Sequence, residues 1–168
     1  MVAAPIYIAG IDTHKRTIAV AVVSPQRVVR VFQIRTEPLH TLYRRLVHLG
    51  TRIRYAGIEW PYLGKSPQSF AAVLETAATV RTILRLQGVP TIRVRGSEWM
   101  RILHPTRRTR PYLKTAARQL ARRVTGRVLT SDASDAVCIG LWLLDRLVVQ
   151  GRIDPPVPLL QRAGLRAD

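Results

Sequence analysis

The sequence contains no asparagine, one cysteine and two methionines. A lone thiol excludes an internal disulfide, and with only four scattered histidines it excludes a Cys/His zinc site. Cys138 lies inside an apolar stretch and reads as a small core residue, not a nucleophile. The scarcity of thermolabile types fits a hot habitat, although the Lys and Glu enrichment usual there is missing. Acids are scarce too: 10 Asp+Glu face 27 Lys+Arg, and only Lys15, Lys65 and Lys114 are lysines. Long hydrophobic runs are also lacking. Val137–Leu144 is far too short to span a bilayer. No basic segment precedes the apolar start, and Asp12 interrupts it, so no signal peptide is expected. Together these absences favour a soluble protein of a reducing compartment, the prokaryotic cytoplasm, with no membrane partner.

What is present is a globular composition, 47% hydrophobic over 168 residues, enough for one domain with a full core. That domain is expected over residues 1–150, and the Pro-containing tail 151–168 is expected to be loosely held. The formal net charge is +17 at pH 7. Such a balance points first to nucleic acid and next to an anionic membrane surface; a merely well-solvated surface seldom needs this much charge. Arginine makes bidentate phosphate contacts that lysine does not, although a GC-rich genome produces the same bias.

Ile6–Asp12 is a short apolar run ending on a carboxylate, which reads as a strand buried on both faces. Thr17–Val23 and Val28–Ile34 follow after tight turns and complete an antiparallel meander. A helix with Leu39, Leu42, Leu46 and Leu49 on one face is capped by Thr36 and stopped by Gly50. Arg52–Ile58 is the fourth strand; arriving after a helix, it is expected to run parallel to the first. Ser66-Pro67 opens a long helix that ends near Gln87. Its apolar residues cover more than one stripe. The face rich in Ala71, Ala77 and Ala78 suits either a partner chain or burial within one domain. Thr91–Val94 is a fifth strand, Ser97 caps a short helix, Tyr112–Val124 forms another, and Ser131 caps the last helix, which ends near Gln150. The order suits an α/β domain with one five-stranded mixed sheet and helices on both faces.

Three of these elements set acids beside their most buried segments. Asp12 ends the first strand, Glu59 ends the fourth, and Asp132 and Asp135 share one face of the last helix. Each alone has an ordinary explanation: a strand-end turn, a loop acid, a capped helix start. In combination they are expected to meet at one metal site, because clustered carboxylates repel unless a divalent cation lies between them. All-oxygen ligation selects Mg²⁺ or Mn²⁺. Two such ions suit phosphodiester hydrolysis.

Gly10-Ile11-Asp12, Glu59-x-x-Tyr62-x-x-Lys65-Ser66 leading into a long helix, and Ser131-Asp132-Ala133-Ser134-Asp135-Ala136 resemble the D-E-D-D pattern of RuvC-type Holliday junction resolvases. The resemblance spans about Ile6 to Leu147. It implies an RNase H-like fold, a catalytic and metal-binding set of Asp12, Glu59, Asp132 and Asp135, two Mg²⁺ ions that Mn²⁺ can replace, and a homodimer cutting four-way junction DNA in paired, symmetric nicks. It places Tyr62 where the family has an aromatic residue near the crossover, and Lys114 where the family has a basic residue near the metals. The compact length fits a bacterial or phage form, acting in the host cytoplasm if phage-encoded, with no small-molecule substrate. The turn Asp12-Thr13-His14-Lys15 also looks like the DEDD transposases of insertion sequences, which are normally longer. A non-catalytic nucleic-acid-binding module of the same fold is the third reading.

The DNA-contacting candidates are Tyr62, Lys65, Arg107, Arg108, Arg110, Lys114 and Arg118. Arg107, Arg108 and Arg110 sit in a Pro-bounded loop, Arg118 follows, and they read as phosphate contacts, with a solvated loop as the bland alternative. Trp60 and Tyr62 flank Pro61 beside Glu59 and are able to stack on unpaired bases or simply support the loop. Trp99 and Trp142 read as core, and His14 as a solvent-exposed turn residue.

Overall fold

The structure, a computed structural model, describes residues 6–62 and 66–165. Its first three strands, β1 (Ile8–Thr13), β2 (Thr17–Val23) and β3 (Val28–Arg35), form the antiparallel meander. After helix α1 (Leu39–Gly50), strand β4 (Tyr55–Glu59) pairs parallel with β1, as its place after a helix predicts. Helix α2 (Pro67–Leu86) returns the chain to β5 (Thr91–Val94), parallel to β4. The sheet order is β3-β2-β1-β4-β5. A short helix α3 (Gly96–Trp99), a 3₁₀ turn (Met100–Leu103), α4 (Arg110–Thr125), α5 (Ser131–Val149) and α6 (Pro158–Ala163) follow. This is the five-stranded mixed sheet with flanking helices expected from the sequence. Among the described residues, no helix is long and apolar enough to cross a membrane.

β1 is the central strand and is buried along its whole length. Its side chains alternate between two cores. Ala9 and Ile11 join Leu42 and Leu46 of α1 and Ala77, Val80 and Leu84 of α2. Ile8 joins the opposite core, built on α5 with Ala117, Leu120 and Ala121 of α4. β3 is one of the two edge strands: only Ile34 is buried in it, and Arg30 and Arg35 are exposed, which blunts that edge.

Two glycines set how closely α5 approaches β1. A Cβ on Gly10 would lie 2.1 Å from the Ala136 carbonyl oxygen and 2.3 Å from the Gly140 nitrogen. Strand and helix backbones are therefore in direct contact. No other residue fits at Gly10 without moving the helix.

The helix starts differ from expectation in detail. Thr130, not Ser131, caps α5, its hydroxyl accepting from the Ala133 N–H at 3.3 Å. Thr36 does not cap α1; its hydroxyl donates to the Lys15 carbonyl at 3.1 Å, closing the open end of the β2–β3 pair. Ser97 does not cap α3, where the Glu98 carboxylate accepts from the Arg95 N–H at 2.7 Å. α4 begins at Arg110, with Pro111 in its first turn. Ser66 caps α2 as predicted, accepting from Ser69 N–H at 3.3 Å.

The segment after α5 is not loosely held. Val157, Leu159, Leu160 and Ala163 are buried in the α4–α5 core. Pro158 starts α6 instead of preventing a helix, because proline suits the first helical turn. The Leu159 N–H donates to the Pro25 carbonyl at 2.9 Å, and Arg123 donates to the Ala163 carbonyl at 3.4 Å.

Gly10→Ala is expected to destabilise the protein by about 3 kcal/mol or more, the upper end of overpacking costs, since backbone and not a flexible side chain must yield. Urea denaturation checks this; an unchanged midpoint would show that α5 does not rest on Gly10.

Candidate metal centre

The close approach at Gly10 puts the acids in place. Asp12 lies two residues further along β1, on the same face. Asp132 and Asp135 lie in the first turns of α5, just before the Ala136 carbonyl that meets Gly10. Ile11 pairs with Ile58 in the parallel β1–β4 ladder, so the next residue, Glu59, stands level with Asp12. The Thr13 hydroxyl donates to the Glu59 carbonyl at 3.2 Å and ties the two strand ends together.

Asp12 is 3% exposed and Asp135 equally buried, while Asp132 and Glu59 are half-buried. The His14 Nε2 lies 3.0 Å from Asp12 Oδ2 and 3.3 Å from Asp132 Oδ1. Lys114, reaching in from α4, pairs with Asp135 Oδ2. The other oxygen, Asp135 Oδ1, is buried with no hydrogen-bond partner. Trp99 donates its indole N–H to Glu59 Oε1 at 3.1 Å.

These neighbours set the charges. Burial raises the Asp12 pKa, but hydrogen bonds from His14 and Glu59 with the His14 and Lys114 charges outweigh it and hold the carboxyl below its usual range. Burial first, then the Asp12 charge and their shared hydrogen bond, push Glu59 up to about 8. Burial lifts Asp135 to about 6 against the pull of Lys114. The hydrogen bond to Asp12 raises His14 to about 9, against burial, with the Asp12, Asp132 and Glu59 charges adding to it. Burial and mutual repulsion thus favour protonation within the acid set, while His14 and Lys114 set positive charge beside it. Such a set, with an unsatisfied buried carboxylate oxygen, fits the ligand chemistry of a hard divalent cation.

A cleft of about 350 Å³ opens onto this cluster, lined by Asp12, His14, Glu59, Trp60, Tyr62 and Arg110 among others. Tyr62 is 83% exposed at its mouth. Trp60 is held by the Arg93 guanidinium, 5.1 Å above its ring. Arg107, Arg108 and Arg118 are exposed and do not line the cleft. Lys65 lies outside the described residues.

Two further side chains, His14 and Trp99, touch the acids. His14 is not simply a solvent-exposed turn residue: 44% of its side chain is exposed, and its ring nitrogen bridges two acids from distant elements. Its place two residues after Asp12, in a tight turn, was the available signal. Trp99 is core as predicted, 1% exposed, yet its N–H also fixes Glu59. Trp142 and Cys138 are buried as expected.

No family model and no curated protein matches the sequence. Solved structures do share the fold. Thermus thermophilus RuvC in complex with a Holliday junction substrate superposes with a TM-score of 0.71 at 15% identity, covering 90% of this chain and 100% of that one. A second Thermus thermophilus RuvC structure gives 0.70 at 16%, with the same coverage. The fold is therefore the RNase H-like fold of the RuvC structures.

The charge pattern gives a pH signature for metal-free protein. Asp135, Glu59 and His14 bind protons more tightly folded than unfolded, between 3.8 and about 6, 4.5 and about 8, and 6.5 and about 9 respectively. Each contributes stability that is complete below its unfolded value and is lost as pH rises through its folded value. Asp12, shifted the other way, contributes stability that is present above 3.8 and lost as pH falls. Thermal melts in chelator are expected to show a site contribution that falls as pH rises from about 4.5 to about 8. Glu59→Gln should flatten that part of the profile. Identical pH profiles for wild type and Glu59→Gln would remove the proton shared between Glu59 and Asp12.

Proposed function

We propose that this chain is a Holliday junction resolvase, a metal-dependent, structure-selective endodeoxyribonuclease that makes paired symmetric nicks in four-way DNA junctions. The observation that carries the reading is a cleft lined by the β1 and β4 acids Asp12 and Glu59, with His14 bridging Asp12 to Asp132 of α5, in a chain of net charge +17. The junction-bound RuvC of the same fold supports it.

Asp12, Glu59, Asp132 and Asp135 would hold two divalent ions, Mg²⁺ or Mn²⁺, which supply an activated water and stabilise the leaving oxygen. The chain's own groups do the rest. Lys114 neutralises Asp135 and keeps it in place. Trp99 and Thr13 fix Glu59 from its side chain and its backbone. Arg110, in the cleft, and Arg107, Arg108 and Arg118, exposed beyond it, contact phosphates, which gives binding a steep salt dependence. Tyr62 offers a free aromatic face, worth about 1–3 kcal/mol on an unpaired base, and a junction crossover provides such bases.

The substrate has two-fold symmetry, and a C₂ dimer matches it. α2 supplies the contact. Ala77 is not part of that face, because it is fully buried against the sheet. Ala71 and Ala78 are exposed one heptad apart, with half-buried Leu74 between them. With exposed Glu75 beside them, they offer small side chains over which a second α2 could pack closely. Bound DNA offsets the repulsion between two such basic chains.

Incubation with a synthetic four-way junction, a linear duplex and an RNA–DNA hybrid, with and without Mg²⁺, tests the reading. Junction-selective, metal-dependent cutting is expected. Cutting the duplex equally well would favour a recombinase or transposase domain, and binding without cutting would favour a non-catalytic module.

Asp12→Asn is expected to slow cutting by at least about 10²-fold, the scale lost with one electrostatic contact to a transition state. Junction binding, held by arginines, should not weaken. Full turnover by Asp12→Asn in Mg²⁺ would reject the centre.

For assembly, sedimentation at micromolar concentration in moderate salt should give a dimer without DNA, and Ala78→Glu should shift it toward monomer. Paired cutting should then fall faster than single nicking. A clean monomer with normal paired cutting would exclude the α2 dimer.

A further inference from the structure

His14 stands out among the groups around the acids. Its Nε2 lies 3.0 Å from Asp12 Oδ2 and 3.3 Å from Asp132 Oδ1. The ligand atoms of Asp12, His14 and Asp132 all lie within 4.8 Å of one another. Atoms on adjacent corners of an octahedron with bonds of about 2.1 Å are about 3.0 Å apart. The observed separations therefore suit three ligands of one ion as well as they suit hydrogen bonds. An unsatisfied group lies on the neighbouring turn of α5. Asp135 Oδ1, on the turn of α5 next to Asp132, is buried and unpartnered, and the Asp12 and Asp132 charges act directly on its carboxyl. The Lys114 side chain satisfies only its other oxygen.

We infer that His14 is itself a metal ligand, contributing Nε2 to the ion held by Asp12 and Asp132, so that one of the two metal positions is a mixed nitrogen–oxygen site. The inference rests on the metal-dependent nuclease reading and names the metal that this site would prefer. When the ion binds, Nε2 gives its hydrogen-bonding proton to solvent and offers its lone pair instead. Oxygen-only sites suit Mg²⁺. An imidazole nitrogen moves the preference toward first-row transition ions, whose affinity rises from Mn²⁺ to Co²⁺. The turn that carries His14 is held by backbone and side-chain bonds. The His14 N–H donates to the Thr17 carbonyl at 2.9 Å, closing the β1–β2 turn, and Thr36 braces Lys15 beside it. The ring is half-exposed and lines the cleft, so an entering ion reaches it.

The alternative role is a hydrogen-bond donor that only orients Asp12. His14→Gln separates the two, because an amide N–H still donates to a carboxylate but offers no imidazole nitrogen. Calorimetric titration with Mg²⁺, Mn²⁺ and Co²⁺ should give tighter binding of Co²⁺ than of Mg²⁺ to wild-type protein. In His14→Gln the Co²⁺ affinity should fall about tenfold or more while Mg²⁺ affinity changes by less than about threefold. Electron-spin-echo spectroscopy of bound Mn²⁺, in protein carrying ¹⁵N-histidine, should show nitrogen coupling that disappears in His14→Gln. Bound Mn²⁺ without nitrogen coupling, or equal losses for Co²⁺ and Mg²⁺ in the variant, would overturn the ligation and leave the nuclease reading intact. If none of the three ions binds wild-type protein, both readings fall.

Discussion

The contact between the backbones of β1 and α5 governs the molecule. With hydrogen in place of a side chain at Gly10 and Gly140, the helix lies directly on the strand. From that fixed point, two residues along a strand advance about 6.6 Å and one turn back along a helix about 5.4 Å. The distances match closely enough that Asp12 and the first turns of α5 end at the same height. Asp132 and Asp135 need no loop to deliver them; they arrive with a rigid helix whose position the sheet dictates. Ladder register does the same for Glu59, which stands level with Asp12.

Two scales of electrostatics then oppose each other. At long range the chain is strongly positive and attracts a polyanion. At the end of β1 it is locally negative, and the acids there are crowded enough for Glu59 to retain a proton near neutral pH. A phosphodiester drawn in by the arginines would meet repulsion at the cleft floor unless cations intervene. His14 and Lys114 supply part of that positive charge from the protein itself.

Much of this was legible in the sequence because it is local. Apolar runs ending on Asp12 and Glu59, and an i, i+3 acid pair opening an apolar helix, give both the strands and the candidate site. What was not legible depends on partners far along the chain. His14 reads as an ordinary turn residue until α5, more than a hundred positions later, brings Asp132 to its ring. Trp99 reads as core, and is, but its bond to Glu59 comes from tertiary packing alone. Ala77 and Ala78 are adjacent in sequence, and only the rotation of α2 on the sheet decides that one is buried and the other exposed. The tail misled because three prolines outweighed Val157, Leu159 and Leu160, whose burial anchors it. Lys114 was placed by resemblance rather than by any pattern of its own, and its pairing with Asp135 depends on the crossing of α4 and α5.

The acids come from opposite ends of the chain: Asp12 from the first strand, Asp132 and Asp135 from the last long helix. A ribosome makes the strand first and the helix last, at about 5–20 residues per second. Until α5 emerges, the polypeptide therefore lacks Asp132 and Asp135 beside Asp12. A partly made chain lacks the full ligand set proposed for cutting. The same separation makes the key contact a non-local one, which slows folding relative to a helical bundle of equal size. Assembly of the acid cluster is thus tied to the arrival of α5, a consequence of topology alone.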